Sequence, residues 1–379
     1  MEPHFPIDRL QKYAKSFCLA TNPTSKSIKF LLLCAHIPEY FNQTIMFSTS
    51  AQVKSWMFKS SSELNKKREA ANLKFVKERS KGMNEDSIKK FFLTAQEERV
   101  LYKHYESILH KFCLKFQPPM PKNVVGCSFQ YFKRFYLNNS VMDYHPKDIV
   151  VTCVYLASKV EEFNVSISQF VANVKGDREK ATEIILNHEL LLMQQLNFDL
   201  AVYNPYRPVE GFLIDIKTRY TELFDPEHLR PAIEEFLDKI QFTDACFLYS
   251  PSQIALAAVA YGTAKFKESI DGYLSDILFD SQPNKLAYVR DAIKTMFVML
   301  KNEALQVIDP VRAGLEKKLD KCRNQENNPS SAVYKRKHEV HDEDEDIEPA
   351  QKYSKLLENE ESQMMEDEMK LGVQFLNHK

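Results

Sequence analysis

The sequence predicts an all-α protein: two tandem five-helix repeats, flanking N- and C-terminal helices, and disordered tails. Three observations lead there. Apolar residues recur three and four positions apart rather than in alternation, along a 379-residue chain that is 44% hydrophobic and 12% aromatic. Only 8 glycines are present, too few for a fold rich in hairpins or glycine loops. Finally, HPKDIVVTCVYLASK, ending at Lys159, is matched in pattern by SPSQIALAAVAYGTAK, ending at Lys265; Pro251 lies 105 residues after Pro146, and Lys265 lies 106 after Lys159.

Residues 1–58 carry Pro3, Pro6, Pro23 and Pro38 and no sustained period, which predicts a weakly structured N-terminal extension. A flanking helix is expected over 59–82. The Ser60 to Glu63 spacing fits a capping box, and Leu64, Ala71 and Phe75 form one stripe.

The first repeat is placed at 94–203. A second capping box, Thr94 to Glu97, opens a helix in which Leu101, Tyr105, Ile108, Phe112 and Phe116 share a face until PPMP at 118–121 stops it. The next helix, from about 122 to 138, turns Val125, Phe129, Phe132 and Tyr136 inward and is expected to show Lys133 and Arg134 to solvent. Pro146 suits the first turn of a third helix, where its missing N–H is not needed. That helix is apolar nearly all round, the mark of a helix surrounded by others. Helices around 167–174 and 178–197 complete the unit.

The second repeat is placed at 204–306, with helices at 208–220 and about 229–249, the matched apolar helix, and two further segments. A charged helix follows within 307–326. Residues 327–379 are expected to be an acidic disordered tail, since 325–379 holds 14 acids against 7 bases. YKRKH, at 334–338, is a weak nuclear-import signal.

Formal net charge is −1, which removes the electrostatic surplus of a dedicated phosphate-backbone binder, so no direct nucleic-acid ligand is expected. The apolar run FLLLCA (30–35) is too short for a membrane span, and no run approaches ~20 residues. No membrane partner is expected, and the protein is read as soluble and intracellular. The seven cysteines never stand at Cys-x-x-Cys spacing and read as small buried hydrophobes, not metal ligands. No phosphate-cradling glycine loop, metal-binding His pair or nucleophile elbow is present, so neither catalysis nor a cofactor is predicted. His104, His110 and His188 read as structural.

One stretch asks for a partner. VTCVYLASKVEEFNV (151–165) is core-like yet ends in a lysine and two glutamates, although acid at a helix C-terminus faces the negative end of the helix dipole. Lys159 could pair locally with Glu161 or Glu162, or with Glu189 in LNHELLLMQQLNFDL. Alternatively, Lys159 and Glu189 could offer donor and acceptor to another protein's peptide groups.

The array LASKVEE, Glu189 with FDL at 198–200, and the two five-helix repeats resemble the cyclin family. YFKRFYLNNSVMDYHP, QQLNFDL, NPYRPVEGFLIDIKTRY and YSPSQIALAA are similar to the cyclins that serve the CDK-activating kinase, and the resemblance runs from about Met46 to about residue 325. It implies two cyclin boxes and a non-catalytic regulatory subunit. Lys159 and Glu189 would hydrogen-bond the αC-helix region of a cyclin-dependent kinase catalytic subunit. Leu156, Val160, Phe198 and Leu200 would form a pocket for an aliphatic side chain of that kinase, and Glu162 would make a charged contact. Further implied partners are a RING-finger assembly subunit and the general transcription factor IIH core, and the implied location is the nucleus.

Two departures stand out. Phe-Lys-Arg-Phe replaces the Ile-Asp-Arg-Phe of cell-cycle cyclins, so Lys133 takes the place of an aspartate. EERVLYKHYESIL lacks the Met-Arg-Ala-Ile-Leu patch that recruits substrates. Rival readings are a Mediator-type cyclin, against which NPYRPVEGF and the helix after 310 count, and a transcription-factor-IIB-like promoter binder. The latter would bring a zinc ribbon and a basic surface that this chain lacks.

Overall fold

The computed structural model describes residues 47–223, 225–280, 282–303 and 309–336; among them the regular elements are helical and none is a strand. The described residues belong to two compact units. One holds 51–206, 238–249 and the described residues from 296 on; the other is chiefly 207–237 and 250–295.

In the larger unit α1 (Ala51–Trp56), α2 (Ser61–Arg79) and α3 (Glu85–Phe91) precede the five helices of the first repeat: α4 (Ala95–Lys115), α5 (Lys122–Asn138), α6 (Pro146–Val160), α7 (Ile167–Ala172) and α8 (Arg178–Gln195). The Thr94–Glu97 capping box closes on both sides. At Ser60 only half forms: its hydroxyl accepts from Glu63 N–H, while the Glu63 carboxylate takes Lys59 N–H instead. α6 starts on Pro146 and buries Ile149, Val150, Cys153, Val154, Leu156 and Ala157 against α4, α5 and α8, so it is the surrounded helix its composition predicts. Gly126 on α5 is fixed by close approach, because a Cβ there would lie 2.5 Å from Asn204 Oδ1.

Lys133 and Arg134 do not face solvent; they are 1% and 0% exposed. The periodicity argument failed because both have buried partners. Lys133 Nζ lies 2.5 Å from Glu106 Oε1 on α4 and donates to Thr243 O at 3.0 Å. Burial works against its ammonium, yet Glu106 holds its pKa above the ordinary value. Arg134 Nη1 donates to Asp199 O at 3.1 Å. Nearby, Arg68 of α2 grips Asp244 through two hydrogen bonds of 2.7 and 2.8 Å. That grip outweighs desolvation and keeps the Asp244 carboxyl well below the ordinary range.

The N-terminal extension expected as far as residue 58 is structured from Ala51. Trp56 is 1% exposed and packs with Leu64, Leu137 and Phe247, a burial that a run of prolines further upstream did not foretell. The rest of that extension, residues 1–46, lies outside the described residues.

α14 (Asp309–Cys322) lays Leu315, Leu319 and Cys322 on the first-repeat core, and Lys318 pairs with Glu97 at 2.9 Å. Order continues past 327. Asn324 and Asn327 both donate to Asp143 Oδ1, Lys180 bonds Ser330, and Tyr334, 8% exposed, receives a hydrogen bond from Asn187. These polar ties explain why acidic composition misplaced the start of the tail. The acidic run at 342–348 lies outside the described residues, as do the last two residues of YKRKH.

The smaller unit repeats the scheme with α9 (Tyr206–Arg219), α10 (Arg230–Ile240), α12 (Pro251–Lys265), a π-helical turn at Tyr273–Leu278 and α13 (Pro283–Glu303), the last residues of α10 and of α13 being counted in the larger unit; the short α11 (Ala245–Leu248) belongs to the larger unit. The helix expected at about 229–249 is thus broken into α10 and α11. α12 is the small-residue centre, and Gly262 admits Leu229 and Ile233 where a Cβ would meet them at 3.2–3.3 Å.

α6 and α12 are both 15 residues long, so Pro146 matches Pro251 and Val160 matches Lys265. Lys159 therefore corresponds to Ala264. Lys265 pairs with Glu235 of the preceding helix, an arrangement different from that of Lys159.

Cys113, Cys127, Cys153 and Cys322 are free and buried, and Cys246 is free and half-buried. Burial pushes the Cys113 and Cys127 thiols up to about 12. His110 packs edge-on against Phe242, and desolvation lowers its pKa. Among the described residues no helix is long and apolar enough to cross a membrane.

Candidate partner-binding site

Two helix ends build the site. At the end of α6 the chain closes a Schellman motif: Phe163 N–H reaches Ser158 O at 2.9 Å and Glu162 N–H reaches Lys159 O at 3.3 Å. Glycine ordinarily fills the left-handed position of this motif, but here Glu162 does, with φ 56°. At the end of α8 the same motif forms, with Phe198 N–H on Met193 O and Asn197 N–H on Gln194 O, both at 2.9 Å. Asn197 tolerates the left-handed region; Phe198, also left-handed at φ 57°, carries a cost of about 1–2 kcal/mol.

Lys159, on the last turn of α6, reaches Glu189 of α8, with Nζ 3.0 Å from Oε1. The long-range pair, one of the alternatives the sequence left open beside local pairing with Glu161 or Glu162, is therefore formed. The Lys159 side chain is 35% exposed and that of Glu189 only 3%. The second carboxylate oxygen, Glu189 Oε2, is buried without a hydrogen-bond partner among the described residues. Two exposed partner-seeking groups were expected; one of them is nearly covered, because α6 and α8 pack along their length.

The apolar residues divide by exposure. Leu156 is 2% exposed and belongs to the core, so it can only floor a pocket. Val160 and Leu200 are half-buried against the same core, Glu162 is exposed, and Phe198 stands 60% exposed. Tyr131 of α5 links the two ends. Its hydroxyl donates to Leu200 O at 2.6 Å; burial, then Cys127 and the Glu161 carboxylate beyond the end of α6, push its phenol above the ordinary value.

Sequence reasoning missed Trp56, Gln52 and Asp199. Trp56 Nε1 donates to Asp199 Oδ2 at 3.1 Å, between Phe198 and Leu200. The available signal was that Trp56 is the chain's one tryptophan. Chemically the site has no nucleophile beside a base; it presents a half-exposed ammonium, an unsatisfied buried acceptor and an exposed aromatic ring. Those are means of recognition.

A model of the cyclin N-terminal domain matches residues 85–201, and one of the cyclin C-terminal domain matches 204–301. Cyclin-H of Xenopus laevis is 41% identical over 308 residues, covering 79% of this chain and 93% of that protein. A probable cyclin-H of Echinococcus multilocularis is 33% identical over 274 residues, covering 64% of this chain and 79% of its own. A chain in the structure of the CAK complex of Chaetomium thermophilum bound to ATP-γ-S is similar with a TM-score of 0.65 and 25% identity, covering 78% of this chain and 94% of that one. The chain therefore belongs to the cyclin family, in its cyclin-H group.

Proposed function

We propose that this chain is a non-catalytic regulatory subunit that binds and activates the cyclin-dependent kinase of the CDK-activating kinase complex, through the ends of α6 and α8. The observation that carries the proposal is the Lys159–Glu189 pair, its ammonium 35% exposed and its Glu189 Oε2 buried and unsatisfied, together with the exposed, left-handed Phe198 just past the end of α8. Strained backbone and an orphan buried acceptor reduce stability and gain a reason if a partner supplies the missing contacts. The likeness to a chain from the CAK complex supports the choice of kinase.

Lys159 can donate to carbonyls, and Glu189 Oε2 can accept from N–H groups, at the end of a partner helix. Leu156 in the core and the half-buried Val160 and Leu200 would receive an aliphatic side chain, and the exposed Glu162 would add a charged contact. In a kinase whose αC helix must swing inward to complete its Lys–Glu pair, binding at such a face favours the active arrangement. The subunit would then serve T-loop phosphorylation of cyclin-dependent kinases. With a RING-finger assembly subunit and the transcription factor IIH core, it would serve phosphorylation of the RNA polymerase II C-terminal domain in the nucleus.

The test is co-expression with the catalytic subunit of the CDK-activating kinase and, separately, with a Mediator-type kinase. Co-elution with the first, with phosphorylation of a polymerase C-terminal-domain peptide raised at least tenfold over free kinase, is the expected result. Selective activation of the second would overturn the assignment.

A further inference from the structure

Residues 196–204 contain no regular secondary structure, yet they carry Phe198 and Leu200. A segment with two successive left-handed residues would sample other conformations unless its surroundings held it. Five hydrogen bonds do so. Arg134 Nη1 donates to Asp199 O at 3.1 Å and the Tyr131 hydroxyl to Leu200 O at 2.6 Å, both from α5. The other three come from α1. Trp56 Nε1 donates to Asp199 Oδ2 at 3.1 Å. Gln52 accepts from Tyr203 N–H at 2.8 Å and donates to Tyr203 O at 3.4 Å, pairing both backbone groups as a neighbouring strand would.

The α1 side chains are themselves fixed. Trp56 and Gln52 are 1% and 3% exposed, and the Arg134 guanidinium lies over the indole, 5.2 Å from it. We infer that Trp56 and Gln52 are positioning residues for the kinase-facing rim at 198–200, so that α1 belongs functionally to the binding surface. This rests on the proposal that Phe198 and Leu200 meet the kinase. Without α1, the Asp199 carboxylate and Tyr203 peptide groups lose partners, and the rim must be ordered at the moment of binding; a preorganised rim avoids that loss.

The test uses the full chain and the catalytic subunit of the CDK-activating kinase, reading kinase Kd, thermal melting, and hydrogen exchange of amides 198–203 in the free protein. Trp56→Phe keeps an aromatic ring in the core and removes the N–H donor together with some of the indole's volume, so its melting is read alongside. It should raise Kd roughly tenfold, the scale of one hydrogen bond to a charged group, and speed exchange at 198–203. Gln52→Ala should do the same and guards against a folding failure at Trp56. Asp199→Asn, which keeps an oxygen for the indole N–H, should stay within roughly threefold of the parent, whereas Asp199→Ala should not. Unchanged Kd and exchange in Trp56→Phe and Gln52→Ala, with Lys159→Ala still weakened, would overturn the inference and leave the site standing. Unchanged Kd in Lys159→Ala as well would remove the site, and this inference with it.

Discussion

At the scale of single residues, buried charge is placed with unequal consequences. Glu106 and Lys133 are 0% and 1% exposed, so Glu106→Ala should destabilise the fold by about 3–5 kcal/mol, while Glu106→Leu combined with Lys133→Met should recover most of that loss; denaturant melts of the three proteins decide it. Lys159→Ala strands the nearly covered Glu189 carboxylate and should cost about 1–3 kcal/mol by the same measurement, in addition to weakening a partner complex. Glu98 sits between α2 and the loop after α5, where desolvation lifts its carboxyl to about 7 despite hydrogen bonds from Ser140 and Asn72. A carboxyl whose folded pKa is raised contributes less stability as pH climbs from the unfolded value, near 4.5, to about 7, because the folded form must give up a proton it prefers to keep. Glu98→Gln should therefore gain more melting stability at pH 8 than at pH 5.

At the scale of elements, the segments outside the two repeats take part in the fold. The strap at 323–336 ties α2 through Arg79, the α5–α6 loop through Asp143 and α8 through Asn187. A chain ended after Arg336 should melt within about 1 °C of the full chain, whereas one ended after Arg323 should melt several degrees lower, at roughly 2–4 °C per kcal/mol lost. Helix positions were legible in the sequence where a cap or a proline announced them: Thr94 with Glu97, Pro146, and its counterpart Pro251 all start helices. What was not legible depended on partners far along the chain. Lys133 and Arg134 looked like a solvent face because Glu106, Thr243 and Asp199 cannot be assigned to them by spacing. The candidate site divides in the same way. The Lys159–Glu189 pair was within reach of resemblance, but the burial of Glu189 and the role of α1 needed packing.

At the scale of the whole molecule, two copies of one helical scheme have diverged in what they offer. Both central helices end in a Schellman motif with a charged residue in the left-handed position, Glu162 in one and Lys267 in the other. Only at α6 is the motif joined by a cross-helix ion pair with an orphan acceptor and by the segment carrying Phe198. If this face serves a kinase, Phe198, 60% exposed and left-handed, is the residue whose replacement should show it. Asparagine tolerates that backbone better than phenylalanine does. Affinity for the catalytic subunit of the CDK-activating kinase and the melting midpoint should both be measured for Phe198→Asn in the full chain. Melting equal to or above the parent with affinity reduced by roughly tenfold or more is expected, as for an aromatic anchor at an interface; unchanged affinity in a normally folded variant would mean that this face does not bind the kinase.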